Sequence, residues 1–262
     1  MKLQSIFFVM MILFAHRAFC EVSDDEMNKS NNPLTPSVGL NFHDYIASSI
    51  FGTDETSNTF FLRGSTPQKI GGLPQLTRVS IPYLSVPGID GDQITGVGDL
   101  NIFDIFLLRP IGNVQLGIGP YFVFPTASED ETGAGKWQIG FSGTAISPKP
   151  WGLVGALLTY QHDIAGDKDR PTQNITTFQP LIMYNLPAGF YARSTGIWFF
   201  NFETGDYYIP VGVGGGKIWK LESGINMNLF AEPQWTVAHE GDGVPNFQTF
   251  VGLNFQFPLH VQ

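Results

Sequence analysis

The chain of 262 residues carries 14% charged and 14% aromatic residues, 23 of them Phe, against about 25% charged in an ordinary globular domain. Scarce charge with abundant aromatics excludes a disordered chain, and thirty Gly with eighteen Pro argue against a helical one. A net charge of −9 argues against a nucleic-acid partner, which leaves a β-rich protein that is secreted or associated with a membrane.

Residues 1–20, MKLQSIFFVMMILFAHRAFC, have the layout of a cleaved secretory signal: Lys2, an apolar core from Ile6 to Ala15, and the exit Ala18-Phe19-Cys20. A spanning helix needs about 20 apolar residues, and His16-Arg17 interrupts this one. Cys20, the only cysteine, follows a bulky Phe19 that suits lipoprotein processing poorly, so it is expected to leave with the signal. The mature chain then has no disulfide framework. Residues 21–36, EVSDDEMNKSNNPLTP, are polar and acidic and read as a solvated leader, so that the folded body is 37–262.

From residue 37 onward apolar and polar residues alternate with the period of two that marks strands. In 224–238, Ile225, Met227, Leu229, Ala231, Trp235 and Val237 oppose Asn226, Asn228, Glu232, Gln234 and Thr236. In 246–259, Phe247, Val251, Leu253, Phe255 and Phe257 oppose Gln248, Gly252, Asn254 and Gln256. The pattern predicts twelve strands: 37–48, 57–70, 73–85, 95–109, 114–126, 136–148, 151–164, 174–187, 189–201, 207–220, 224–238 and 246–259, with a bulge expected in 95–109. The connections between them alternate long and short, the layout of an outer-membrane β-barrel with short periplasmic turns and long extracellular loops. The predicted fold is therefore all-β, a single antiparallel transmembrane barrel of about twelve strands in the bacterial outer membrane.

Two further features fit. All five Trp (137, 151, 198, 219 and 235) lie within three residues of a predicted strand end, as an aromatic girdle at the headgroup level requires. Thirteen of the 23 acids fall in the six long loops, among them Glu129, Asp130, Glu131, Asp167, Asp169, Glu240 and Asp242, with only Lys168 and Arg170 against them. Lys69, Arg109, Lys149 and Lys220 lie beside the short turns. One rim is acidic and the other leans basic. Any pore current is then expected to prefer cations, most of all at low salt.

Chemistry is sparse. Gly212-Val213-Gly214-Gly215-Gly216-Lys217 lacks the Ser or Thr of a phosphate-binding loop and falls inside a strand pattern, where glycines mark a bend or a thin wall. Asp90-Gly91-Asp92 and Asp167-Lys168-Asp169 each offer two oxygen ligands but no full calcium loop. A weak divalent-cation site between loops competes there with a plain solvated rim. His43, His162 and His239 have no metal-ligand spacing, and His162 and His239 read as polar rim residues. No catalytic residue, metal site or cofactor emerges, and the chain is read as no enzyme. Placing the polar side of each strand inward gives the lumen candidates Arg78, Asp99, Gln138, Gln161, Gln179, Arg193, Asn228, Glu232 and Gln234, with Asn226, Asn254 and Gln256 beside them. A charge facing lipid near the midplane would cost about 2–4 kcal/mol, so Arg78, Arg193 and Glu232 belong inside.

The runs TGVGDLNIFDIFLL (95–108), GIGPYFVFPTASEDETGAGKWQIG (117–140), WGLVGALLTYQHDIAGDKDR (151–170) and FQPLIMYNLPAGFYA (178–192) resemble a family of bacterial outer-membrane barrel transporters. That family is similar to the one linked to the meta-pathway of phenol degradation, and some of its members carry the label neuromedin U. The resemblance implies a narrow pore or transporter for small, hydrophobic or aromatic compounds, with outer-membrane lipid and lipopolysaccharide as surroundings. The alternatives are a structural or adhesion protein with acidic surface loops and, further off, a lipid-modifying barrel enzyme. In one respect the chain departs from such barrels, which usually finish on an aromatic residue: here Phe257 is followed by Pro258-Leu259-His260-Val261-Gln262.

Overall fold

The computed structural model describes residues 19, 20, 22–88 and 92–259. Apart from the short stretch Phe19–Cys20, which bridges to Leu221 and Lys220, the segment read as a signal lies outside them.

One helix, α1 (Asp24–Asn31), precedes twelve staves. These are β1 (Val38–Ile50), β2 (Ser57–Ile70), β3 (Leu73–Pro87), β4 (Gln93–Val97 and Leu100–Leu107), β5 (Gln115–Phe124), β6 (Lys136–Lys149), β7 (Gly152–Gly166), β8 (Asn174–Asn185), β9 (Phe190–Ser194 and Trp198–Asn201), β10 (Tyr207–Gly212 and Gly214–Leu221), β11 (Asn226–Glu240) and β12 (Pro245–Phe257). Each stave pairs antiparallel with its sequence neighbours, and β12 returns to β1 from Phe257 opposite Val38 to Pro245 opposite Ile50, closing the barrel. Closure removes every sheet edge, the condition for strands to sit in hydrocarbon. No described helix is long and apolar enough to cross a membrane.

The alternation read from the sequence sets the two faces. Ile46, Leu62, Ile81, Ile118, Phe122, Ile139, Phe141, Ile182 and Val237 are exposed on the outside, the apolar belt of a bilayer-spanning barrel. The girdle is partly as expected. Trp137 meets Phe124 with ring centroids 5.5 Å apart, Trp151 meets Tyr184 at 5.9 Å and Trp235 meets Phe247 at 5.1 Å, all three Trp being exposed. Trp198 differs. It opposes Phe178 within β8 rather than capping a stave, because β9 is interrupted just before it.

The connections stand at the expected ends, but their lengths even out. On one side lie 51–56, 88–92, 125–135, 167–173, 202–206 and 241–244, and on the other 71–72, 108–114, 150–151, 186–189 and 222–225. The turn 108–114 outgrows the loop 88–92 because Ile111 and Val114 form a further bridge inside it.

The leader departs from expectation. Ser23 and Glu26 form a reciprocal capping box, with the Glu26 amide donating to Ser23 Oγ at 3.3 Å and the Ser23 amide to Glu26 Oε2 at 3.1 Å. Asp24, Asp25 and Glu26 complement the helix N-terminus and Lys29 its last turn. Asn32 ends the helix in an extended conformation, which the following Pro33 favours. Eight residues are too few for a stable isolated helix, and this one is held by the barrel: Met27 and Leu34 are 2% and 3% exposed, and Asn28, Ser30 and Asn32 are buried as well. The segment is solvated on one face only: Ser23, Asp24, Asp25 and Lys29 stay exposed, while Met27, Asn28, Ser30, Asn32 and Leu34 are packed into the end of the barrel that carries the short turns.

Candidate functional site

The lumen is closed at that end by α1 and the turn after it. Asn28 Nδ2 donates to Lys149 O at 2.9 Å, Asn32 Nδ2 to Gln115 Oε1 at 2.8 Å, Asn228 Nδ2 to Asn31 Oδ1 at 3.0 Å, and Gln256 Nε2 to Ser30 O at 3.1 Å. Asn185 Nδ2 donates to Asn28 Oδ1 at 3.2 Å, and Lys220 Nζ pairs with Glu26 Oε1. The partners come from β5 round to β12, so the segment lies across the bore. The Lys220 ammonium, and after it the Ser23 amide, hold the Glu26 carboxyl below its ordinary 4.5.

On the wall built by β9 to β12 the inward polar residues are locked together. Glu232, 0% exposed, accepts from Arg193 Nε at 2.7 Å, from the Thr195 amide and hydroxyl at 2.7 Å each, and from Gln234 Nε2 at 3.0 Å. Arg193 Nη2 also donates to Thr195 Oγ1 at 2.6 Å, and Gln248 Nε2 to Gln234 Oε1 at 2.7 Å. This network sits where both β9 and β10 break. The amide of Thr195, freed from the ladder by the break after Ser194, finds its acceptor in the carboxylate. The glycine run serves the same site: a Cβ on Gly212 would collide with Glu232, and one on Gly216 with the Tyr191 ring. Tyr191 in turn donates to Asn228 Oδ1 at 2.7 Å. The phosphate-loop look-alike is thus a thinned wall that makes room for buried polar side chains.

A row of aromatic contacts runs from there along the wall through β11, β12 and β1 to β2. The Arg193 guanidinium lies 3.5 Å from the Phe230 ring centroid, Phe230 meets Phe250 edge-on at 4.9 Å, and Phe250 stacks on Tyr45 at 4.2 Å and meets His43 at 5.2 Å. His43 Nδ1 receives Arg63 Nη1 at 2.7 Å, and its Nε2 lies 2.8 Å from Asn254 Oδ1. Arginine can only donate, so Nδ1 is the acceptor. Nε2 then carries the proton, and the imidazole is neutral.

Of the other lumen candidates, Gln161 Nε2 donates to Gln138 Oε1 at 2.9 Å, Gln179 Nε2 to Thr195 O at 3.1 Å, and the Arg78 guanidinium lies 4.1 Å over the Phe103 ring. Asp99 occupies the interruption of β4, where Oδ1 accepts the Thr126 and Ala127 amides at 3.0 and 3.1 Å and Oδ2 the Ala134 amide at 2.7 Å. Its carboxylate clamps the loop 125–135 and is not offered to the lumen. Arg63, His43, Tyr45, Phe230 and Phe250 were not foreseen. Arg63 hides behind Phe60-Phe61-Leu62, three apolar residues in a row that blur the period of two.

The seven rim acids, Glu129, Asp130, Glu131, Asp167, Asp169, Glu240 and Asp242, are all exposed at the long-loop end. Arg170 is tied down there, its Nη2 donating to the Asp130 and Gly133 carbonyls. The Asp169 amide closes on Asp167 Oδ1 at 2.9 Å, so that acidic pair is folded on itself; Asp90 lies outside the described residues. Among the described residues no three His, Cys, Asp or Glu side chains gather as a metal site. His162 Nδ1 sits 3.0 Å from Asp163 O, and His239 stacks on Phe51 at 3.5 Å.

Between the barrel wall and the turn after α1 lies a cavity of about 170 Å³. Arg63, Arg78, His43, Tyr45, Leu76, Phe103, Ile105, Gln179 and Leu181 are among the wall residues that line it, and Ser30 to Leu34 are its floor.

No protein-family profile and no curated protein matches the chain. Solved structures do. The COG4313 outer membrane channel from Pseudomonas putida F1 superimposes with a TM-score of 0.66 at 15% identity, over 87% of this chain and 98% of the channel. The NanC porin superimposes with a TM-score of 0.51 at 7% identity, over 85% of this chain and 100% of the porin. The fold of this chain is that of bacterial outer-membrane channels, and its apolar outer belt is the surface such barrels present to that membrane.

Proposed function

We propose that the protein is a narrow outer-membrane pore or transporter for small solutes, with hydrophobic or aromatic compounds as its cargo. The observation that carries this reading is the cavity inside the barrel, walled by both polar and apolar side chains and floored by a short helix rather than by the barrel itself. A protein that used only its loops to contact a surface would have no use for such a space. The resemblance of residues 95–192 to barrel transporters supports the same reading, as does the shared fold with a channel and a porin.

Solute flux tests it. In liposome-swelling or planar-bilayer measurements the full chain is expected to pass small solutes slowly. A variant lacking residues 24–35 should pass them at least tenfold faster, since that segment lies across the bore and is joined to staves from β5 to β12. Absence of flux in both proteins would overturn the pore in favour of a structural role.

A further inference from the structure

Two arginines of the lumen have no counter-charge. Arg193 is matched by Glu232, but neither Arg63 nor Arg78 has a carboxylate within salt-bridge distance among the described residues. Arg63 donates to the neutral His43 ring and reaches the Tyr45 hydroxyl, and Arg78 has no hydrogen bond among the described residues. The Nε atoms of both are buried without a partner. A guanidinium has five N–H donors, so most of this donor capacity is unspent, and a buried cation without an anion is costly.

Their placement is specific. Arg63 opposes Ser80, and Arg78 lies two residues along the same strand, so the two arginines are diagonal cross-strand neighbours on one face, within reach of a shared partner for long side chains. A carboxylate between them can accept from both forks. Phe61 and Phe103 hold the guanidinium planes from behind, each 4.1 Å from the cation it faces. Beside this cationic wall the same cavity offers an apolar surface from Leu76, Ile105, Leu157, Leu181 and Met183, with Thr144 and Gln179 among its polar lining.

We propose that this cavity is a binding site for a compact organic monoanion, its carboxylate bridging Arg63 and Arg78 and its apolar body packed against Leu76, Ile105 and Leu181. The site rests on the reading of the barrel as a solute pore and narrows its cargo to acids of one ring or a short branched chain, the size that a cavity of about 170 Å³ admits.

Titration calorimetry on the full chain in detergent tests the site with benzoate, benzyl alcohol, benzylamine and acetate. Benzoate is expected to bind saturably, at least tenfold more tightly than benzyl alcohol or acetate, with no binding of benzylamine. Arg63→Gln combined with Arg78→Gln should weaken benzoate at least tenfold and leave benzyl alcohol unchanged. If the double variant fails to fold, the wild-type series still decides. Equal affinity for benzoate and benzyl alcohol overturns the cationic half of the site, and equal affinity for benzoate and acetate overturns the apolar half. Flux through liposomes carrying the same preparation separates the two readings: selective binding without flux upholds the site and overturns the pore, and flux without selective binding does the reverse.

Discussion

The two sides of the lumen handle buried charge in opposite ways. On the side of β9 to β12, Glu232 takes four hydrogen bonds and Arg193 is matched in both charge and geometry. On the side of β2 and β3, Arg63 and Arg78 face a cavity with most of their donors unspent. The first arrangement is what a wall needs: breaks in two adjacent staves leave backbone groups that an ionised side chain can satisfy. The second is what a site needs, because a donor already matched within the protein has nothing left for a solute. Charge inside a barrel therefore does not by itself mark the path of a solute; charge without a partner does.

The sharpest way to break this contrast is to remove the paired carboxylate. Glu232→Ala leaves Arg193 buried without its anion and frees the Thr195 amide, and the expected loss is about 3–5 kcal/mol, read as a fall in the temperature at which the folded band converts on semi-native gels. Arg78→Met, on the unmatched side, should lower that temperature little or not at all. A variant order in which Arg78 matters more for stability than Glu232 would reverse the assignment of wall and site.

A middling effect is expected at the floor of the cavity. The Glu26 carboxyl titrates below 4.5 in the folded protein, first through its bond to Lys220 and then through the Ser23 amide. Its contribution is complete above the unfolded value and is lost as pH falls through the lower folded one. The protection factors of the α1 amides, exchange corrected for its intrinsic pH dependence, should therefore fall below about pH 4.5 in the wild type, where the ordinary carboxylate value lies. In Glu26→Gln protection should be low already at pH 7, with no such step. A wild-type protection factor that ignores pH across this range would show that the pair does not hold the helix.

How far these regions were legible in the sequence depended on which side of a period they fell. Along β11 and β12 the alternate residues are mostly polar, and counting sets Asn228, Glu232, Gln234 and Gln256 on the inward side. The same count places Phe230 and Phe250 inside, but apolar residues on the polar side draw no attention unless a bore is expected to contain a packed layer. Arg63 was masked by the apolar run before it, and Asp99 was misplaced because β4 breaks at Gly98 and the count loses its phase there. The leader is a different failure. Ser23-Asp24-Asp25-Glu26 is an open capping-box signature followed by Met27, and the acidity of the segment hides it. Polar composition suits a stopper that hydrogen-bonds across a polar bore as well as it suits a solvated tail.

The smallest effect is expected at the rim. Neutralising Glu129, Asp130 and Glu131 together should shift stability by less than about 0.5 kcal/mol, because the side chains are exposed. It should lower the preference of any current for cations at 0.01 M salt, where the Debye length is about 30 Å, and much less at 0.1 M, where it is about 10 Å. A salt-independent change would mean that these loops bear on the bore by contact and not by field, and an unchanged preference would leave selectivity to Arg63 and Arg78.

The floor of the cavity also bears on how the barrel closes. Ser30 meets Gln256 across 226 positions of sequence, and β1 must find β12 over nearly the same distance. The entropy of closing such a loop has to be met before any pairing across the seam rewards it. Because α1 binds Asn228 of β11 and Gln256 of β12, a chain that has docked its helix on those two strands need only order residues 32–37 before β1 reaches its partner. The helix is in that sense a template for the seam. A barrel lacking it should refold to the same end point more slowly, with the delay confined to the last step, the pairing of the first strand with the twelfth.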